Sequence, residues 1–98
     1  MDKKAVDRHD KSNTIVYTIY WNKVKSARLK RIRGVSFEEI IKAEYLDTID
    51  HPSRNNQRIF IFDYKDYIWV VPFVVDSEGV FLKTLYKSRK FSKIYMGR

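Results

Sequence analysis

The 98-residue sequence contains no cysteine, three glycines, two prolines and two histidines. Without cysteine, neither a disulfide framework nor a thiolate metal site can hold the fold. Gly34, Gly79 and Gly97 lack the spacing of a phosphate-binding loop or a nucleophile elbow, which excludes nucleotide hydrolysis and triad acyl transfer. His9 and His51 have no His-x-x-x-His or Glu-x-x-His partner, so we expect neither a metal nor another cofactor.

Long hydrophobic runs are also missing. The longest apolar stretches, residues 67–75 and 58–62, are far shorter than the roughly 18 residues of a membrane span. The N-terminus is charged and has no hydrophobic signal core, so we expect a cytoplasmic protein without a membrane partner. A hydrophobic content of 44%, including 15% aromatic residues, is enough for the core of one small domain.

Positive charge is abundant and unevenly distributed. Residues 21–33, here called the first cationic block, and residues 83–98, the second cationic block, hold twelve of the twenty Lys and Arg residues and no acid. Residues 34–82 between them hold nine acids and four bases. The net charge of +8 is therefore concentrated, which favours binding to a polyanion such as a nucleic acid.

The first third of the sequence predicts a tail, a strand and a helix. Residues 1–13 are polar without a period and predict a flexible tail, leaving residues 14–98 as a single domain. Residues 14–21 are β-branched and aromatic, as in a strand. A helix is predicted over residues 23–33, between an N-cap at Asn22 and the glycine that follows the helix. Its predicted apolar stripe comprises Val24, Ala27 and Ile32.

The rest of the sequence predicts a second helix, several strands and a terminal helix. A capping box formed by Ser36 and Glu39 starts a helix over about residues 36–44. Strands are predicted over residues 46–49, 57–62, 67–75 and 80–86, and a short helix over residues 89–96. Pro72 indicates a bulge or a sheet edge. The order β-α-α-β-β-β-β-α predicts an α+β domain, with two N-terminal helices on one face of an antiparallel sheet.

A ribonuclease that needs no metal could use these residues, because RNA carries its own nucleophile in the 2′-hydroxyl. Such an enzyme needs cations around the phosphate and groups that move protons. Arg89, Lys90, Arg58 and Lys83 could supply the charge, and His51 or a tyrosine the acid. Further cations expected to bind RNA are Lys23, Lys25, Arg28, Arg31, Arg33, Lys87 and Lys93.

Structural interpretations compete with this hypothesis. His51, beside a proline in a polar loop, is also typical of a turn residue. Lys83 can extend from a sheet edge to solvent, and the basic helix can be a solvated or partner-binding face. The chain could therefore be a non-catalytic nucleic-acid-binding module, or a protein-interaction module that docks on an acidic partner.

Four short segments in a fixed order carry a resemblance to a known family. They are Trp21-Asn22-Lys23-Val24-Lys25, Gly34-Val35-Ser36-Phe37-Glu38-Glu39, Arg58 at the start of a strand, and Ser88-Arg89-Lys90-Phe91-Ser92. Together they resemble the BrnT family of bacterial toxins over about residues 15–95. The resemblance implies a RelE-like fold and an endoribonuclease toxin of a type II toxin–antitoxin system. Such a toxin cuts cellular RNA, either free or on the ribosome, and so stops translation.

The resemblance also implies partners and site residues. The expected antitoxin is a small acidic DNA-binding protein of ribbon-helix-helix type that forms a hetero-oligomer with the toxin. Arg89, Arg58 and Lys90 would hold the scissile phosphate, and His51 or Lys83 would transfer protons. Two departures from the family pattern are Asn56, where relatives often have an acid, and Arg33, where they often have a histidine. Both departures remove a candidate base.

Overall fold

The computed structural model describes residues 2–10 and 13–97. The strands are β1 (Asp2–Asp10), β2 (Asn13–Tyr20), β3 (Glu44–Asp50), β4 (Arg58–Tyr64), β5 (Tyr67–Asp76), β6 (Gly79–Leu82) and β7 (Tyr86–Lys87). The helices are α1 (Lys23–Arg33), α2 (Phe37–Ile40) and α3 (Arg89–Met96). The chain thus forms the small α+β domain that the sequence predicts.

One sheet contains all of these strands, in the order β1-β2-β6-β5-β4-β3, with β7 also paired to β5. The prediction of a purely antiparallel sheet is wrong, because β2 and β6 run parallel and pair through Ile19 with Val80 and Tyr20 with Phe81. A parallel pair needs a long crossover connection, and α1, α2 and the β3–β5 meander provide it. The sheet is therefore mixed.

The N-terminal segment differs from the predicted flexible tail. Its residues 2–10 form β1, which pairs antiparallel with β2 and carries a register shift between Val6 and Asp10. Residues 1, 11 and 12 of the predicted tail, and Arg98 of the second cationic block, lie outside the described residues. Backbone hydrogen bonds along a strand edge require no hydrophobic period, so the pattern of residues contained no sign of β1.

Helix α1 has the predicted bounds and caps but buries a different face. The Asn22 side chain accepts a hydrogen bond from the Lys25 amide, and Gly34 ends the helix at φ 84°, in the left-handed region that glycine favours. The buried residues are Ser26 and Leu29. The predicted apolar stripe is wrong, because Val24, Ala27 and Ile32 are all exposed.

Helix α2 begins at the predicted capping box and is shorter than predicted. Both hydrogen bonds of the box between Ser36 and Glu39 are present. After Ile40 the amides of Lys42 and Ala43 bond three residues back, so the last turn tightens before β3 begins. The chain enters a strand where the sequence predicted more helix.

The two faces of the sheet are covered differently. On one face, Leu29 of α1 and Phe37 and Ile40 of α2 pack on alternate residues of β4, β5 and β6, as predicted for the two N-terminal helices. On the other face, Phe91 of α3 joins a smaller cluster, and Ser92 accepts a hydrogen bond from the Ile68 amide. We call these the major and the minor face.

Pro72 marks an interruption in the sheet, as the sequence predicted. Leu82 pairs with Phe73 and Tyr86 pairs with Val70, so β6 and β7 together have one residue more than the part of β5 they face. The Pro72 carbonyl accepts from the Lys83 amide at 2.8 Å, so the missing amide of the proline faces this bulge. The predicted strand 80–86 is consequently divided into β6 and β7.

Within the described part of the chain, no helix is long and apolar enough to cross a membrane.

Candidate functional site

The described part of the chain contains an open cleft of about 460 Å³. The first turn of α1, the loop between β3 and β4, and the bulge between β6 and β7 surround it. The lining residues are Lys25, His51, Ser53, Arg54, Gln57, Pro72, Lys83, Thr84 and Tyr86. None of these nine described residues is acidic, although the chain has twelve acids. The cleft therefore favours an anion.

Lys83 lines the cleft where the bulge begins. Lys83 follows Leu82 and is exposed on the minor face, where its ammonium lies 5.7 Å from the centre of the Phe81 ring. Leu85, which the sequence placed on the same face as Lys83, is fully buried in the major-face core. The prediction that Phe81, Lys83 and Leu85 share one face is therefore wrong for Leu85, because a bulge inverts the side-chain alternation beyond it.

Arg33, a predicted RNA-binding residue, holds this bulge in place. Its guanidinium donates to the Leu85 carbonyl at 2.6 Å and to the Thr84 hydroxyl at 3.2 Å. These bonds satisfy the backbone where the strand pairing is broken, and they connect the end of α1 to the bulge. Arg33 therefore positions Thr84 and Leu85.

Lys25 is the cleft residue whose pKa is perturbed. Its pKa is lowered, chiefly by burial and then by repulsion from Lys83, Arg33 and Arg28. Each of these effects disfavours a further positive charge, so the neutral amine is more accessible than in an ordinary lysine. A lysine of this kind can accept a proton or can bind an anion that restores the balance of charge.

His51 is held by the backbone of its own loop. Its Nδ1 accepts from the amides of Ser53 at 3.1 Å and Arg54 at 3.2 Å. Two donors at Nδ1 leave no room for a proton there, so the neutral ring carries its hydrogen on Nε2. In this tautomer Nε2–H is a hydrogen-bond donor.

Tyr86 and Arg54 line the cleft, although no motif in the sequence singles them out. Tyr86 lies in β7, where it pairs with Val70 of β5. It packs against the minor-face core, which fixes its ring beside the cleft. Arg54 lies in the polar loop that begins after β3. The signal for Arg54 was its position in that loop, next to the predicted His51. Tyr86 could have been found only by locating the bulge.

Arg58 lies close to the cleft without lining it. Strand alternation places Arg58 on the side of Phe60 and Phe62, opposite the cleft residue Gln57. Its Nε atom lies 3.1 Å from an oxygen of Asp50, and both side chains are more than half exposed. Arg58 is thus paired with a carboxylate across the β3–β4 ladder.

Arg89 and Lys90 do not line the cleft either. They open α3, directly after Ser88, whose amide bonds the Ile68 carbonyl. Pro72 in the cleft is four residues along β5 from Ile68, or about 13 Å. Of the five residues predicted to act together, only His51 and Lys83 meet in the cleft.

The remaining predicted RNA contacts are spread over the surface. Lys23, Arg28 and Arg31 are exposed on α1, and Lys93 is exposed on α3. The ammonium of Lys87 lies 5.2 Å from the centre of the Tyr67 ring and 5.8 Å from that of Trp69. These cations can contribute to a positive field around the cleft without entering it.

A second cavity, of about 260 Å³, opens on the major face. It is lined by Ile19, Ile41, Tyr45, Phe60, Phe62, Val71 and Leu82. Its apolar wall gives a phosphate no ionic partner. The described residues include no group of three His, Asp or Glu side chains placed to hold a metal ion. The cleft is therefore the strongest candidate site for anion chemistry.

Comparison with models of known protein families, with curated proteins and with solved structures gives no match to this chain. The resemblance to the BrnT family therefore stays a prediction from the sequence.

Proposed function

We propose that the protein is a metal-independent endoribonuclease that acts in the cleft beside Lys83. One observation carries the proposal: basic side chains from three separate segments converge with no acid among them. They are Lys25 of α1, His51 and Arg54 of the loop, and Lys83 of the bulge. A backbone phosphate is the anion that such a surface fits in a nucleic acid.

The RNA substrate would supply the nucleophile. Lys25, in the neutral form that its lowered pKa makes more accessible, takes the proton of the 2′-hydroxyl. The 2′-oxygen then bonds to phosphorus, and the bond from phosphorus to the 5′-oxygen breaks. Tyr86 gives a proton to the departing 5′-oxygen, so the products end in a 2′,3′-cyclic phosphate and a 5′-hydroxyl.

The other cleft residues would bind the phosphoryl group. Lys83 and Arg54 neutralise the charge that develops on its oxygens, and Nε2–H of His51 donates a hydrogen bond. The structure supports binding by His51 better than proton transfer, because two backbone amides occupy Nδ1.

We further propose a biological role as the toxin of a type II toxin–antitoxin pair. The BrnT resemblance supports a RelE-like fold, inhibition of translation and an acidic antitoxin that covers the toxin in a cytoplasmic hetero-oligomer. The element order from β2 to α3 agrees with the order predicted from the sequence, apart from the division of the last strand.

RNA cleavage in the presence of a chelator tests the proposal. Purified protein and RNA incubated with EDTA should give fragments with 2′,3′-cyclic ends, and Lys25→Met should reduce the rate roughly 100-fold or more. Ile94→Gln, an exposed change on α3, is the matched control and should leave the rate unchanged. Intact RNA with the wild-type protein would refute the proposed activity.

The pH dependence adds a test that is specific to Lys25. Cleavage should rise with pH as the amine loses its proton, at a pH below the ordinary lysine value of 10.5. Lys83→Met removes a repulsive neighbour, so the pKa of Lys25 rises and the increase in cleavage rate occurs at higher pH. An increase that stays at the same pH would exclude Lys25 as the base.

Binding to RNA without cleavage is the second candidate function. It is favoured by the hydrogen bonds at Nδ1 of His51, which leave the cleft without a free imidazole base. Salt-dependent RNA binding together with intact RNA would support this candidate.

A further inference from the structure

The outward face of α1 carries exposed aliphatic side chains among unpaired cations. Val24 is 81% exposed and Ile32 is 56% exposed, whereas Ser26 and Leu29 of the same helix are buried. A core-facing stripe would have been covered by the sheet. These side chains therefore belong to a surface.

The side chains form one continuous row. Val24, Arg28 and Ile32 follow each other at intervals of four residues, so they are neighbours on the helix surface, and Arg31 lies beside them. Within the described residues, neither Arg28 nor Arg31 makes an ion pair. The row thus offers two apolar contacts separated by positive charge.

We infer that this face of α1 binds an acidic amphipathic segment of a partner protein. Charge complementarity favours such a segment, because α1 has no acid and residues 21–33 hold six cations. A second copy of this chain would bring the same cations together and be repelled. RNA phosphates could pair with Arg28 and Arg31. They would make no favourable contact with Val24 and Ile32, which are aliphatic and offer no ring on which a base could stack.

The docking face adjoins the cleft. Arg28 on this face repels the charge of Lys25, which lines the cleft from the same helix. An acidic partner on α1 would therefore reduce that repulsion, raise the pKa of Lys25 and stand beside the entrance. This inhibitory consequence rests on the proposed function, whereas the docking itself does not.

The test compares two synthetic peptides with one RNA. The first peptide forms a helix of about four turns, with leucine along one side and glutamate elsewhere; the second has the same composition in scrambled order. Fluorescence anisotropy should show roughly tenfold tighter binding of the first peptide to the wild-type protein. Val24→Gln combined with Ile32→Gln should abolish that preference and leave the affinity for a single-stranded RNA oligonucleotide unchanged.

The matched control replaces two equally exposed aliphatic residues elsewhere. Val75 and Ile94 are 71% and 62% exposed, and changing both to Gln should preserve the peptide preference. The inference is overturned if the wild-type protein binds both peptides equally, or if the α1 double variant keeps the preference. It is also overturned if that variant loses RNA affinity in parallel, because the face would then be an RNA surface.

RNA cleavage is measured separately in the same preparations. A wild-type protein that prefers the amphipathic peptide but leaves RNA intact would support the docking face and refute the proposed function. A protein that cleaves RNA without a peptide preference would support the proposed function and overturn the docking face.

Discussion

The two cationic blocks have similar compositions, but the fold uses them differently. The first block becomes α1, whose charges point outward, toward the cleft and toward the bulge. The second block divides into the bulge, β7 and α3, with Lys83 opposite Pro72 of β5 and Lys87 opposite Trp69. Each block supplies one lysine to the cleft, Lys25 from the first and Lys83 from the second. Charge density therefore indicates a polyanion surface, whereas topology decides which charges meet.

The largest expected loss of RNA cleavage distinguishes a cleft residue of the second cationic block from a residue of that block outside the cleft. Lys83→Ala should reduce RNA cleavage roughly 100-fold, because it removes a charge at the proposed phosphate site. Arg89→Ala should reduce cleavage only about threefold, since Arg89 does not line the cleft and adds only to the surrounding field. Initial rates on one RNA substrate, at one salt concentration, measure both effects.

The reverse order of these two variants would overturn the comparison. It would place the chemistry at the start of α3, as the sequence resemblance implies, and would leave the cleft as an accessory surface. Circular dichroism spectra of both variants provide the folding control.

The next effect concerns how each block is attached to the rest of the fold, α1 to α2 and α3 to β5. A buried serine anchors α1 and another anchors α3, because Ser26 accepts from the Phe37 amide at 2.9 Å and Ser92 accepts from the Ile68 amide at 3.1 Å. Ser26 also donates to Glu38 at 2.5 Å. Ser26→Ala should lower the free energy of unfolding by about 2 kcal/mol, and Ser92→Ala by about 1 kcal/mol, because each leaves a buried amide unpaired.

Urea denaturation of the two variants measures this difference. Ser77→Ala, at an exposed turn position, is the control and should change the free energy of unfolding by less than about 0.5 kcal/mol. A larger loss for the Ser92 variant would show that α3, rather than α1, is the more firmly bonded helix.

The smallest effect concerns the one cation of α1 that forms an ion pair within the described residues. Lys30 lies 2.9 Å from Glu39, and this bond, followed by the Ser36 amide, lowers the pKa of the Glu39 carboxyl from 4.5 to about 2. Between these pH values the unfolded chain takes up a proton that the folded chain does not. The stabilisation is therefore present above about pH 4.5 and is lost as the pH falls toward about 2.

Glu39→Gln should remove this dependence on pH. The variant should be less stable than the wild type at pH 7, by less than about 1 kcal/mol because the pair is partly exposed, and the difference should shrink in acid. Thermal unfolding measured from pH 7 to pH 2.5 tests this expectation. A constant difference across that range would show that the carboxylate charge contributes nothing.

Local signals predicted the helices of both blocks well. Helix α1 begins after Asn22 and ends before Gly34, and α3 begins after Ser88, all as predicted. These positions could be predicted because a cap depends on a few neighbouring residues. Pro72 likewise predicted the bulge, since a missing amide has a local consequence. Most elements of the meander and its helices could thus be predicted from the sequence.

The arrangement of side chains depends on long-range contacts that periodicity does not carry. Val24 and Ile32 are apolar yet exposed, since α1 buries Ser26 and Leu29 instead. Leu85 lies on the opposite face of the sheet from Lys83, rather than on the same face, because of a single extra residue. The site shared by Lys25 and Lys83 could not be predicted, because its formation requires β2 to lie beside β6.

The parallel pairing of β2 with β6 also affects when the cleft can form during synthesis. Ile19 cannot pair until Val80 has been synthesised, and Lys25 cannot meet Lys83 before then either. The early part of a growing chain therefore lacks the partners that define the cleft. The β3–β5 meander joins nearby segments and can fold sooner, since short loops close at lower entropic cost. A ribosome-bound chain therefore lacks the complete cleft until the bulge has left the exit tunnel. If the cleft cleaves RNA, this order of events would protect the ribosome that is making the protein.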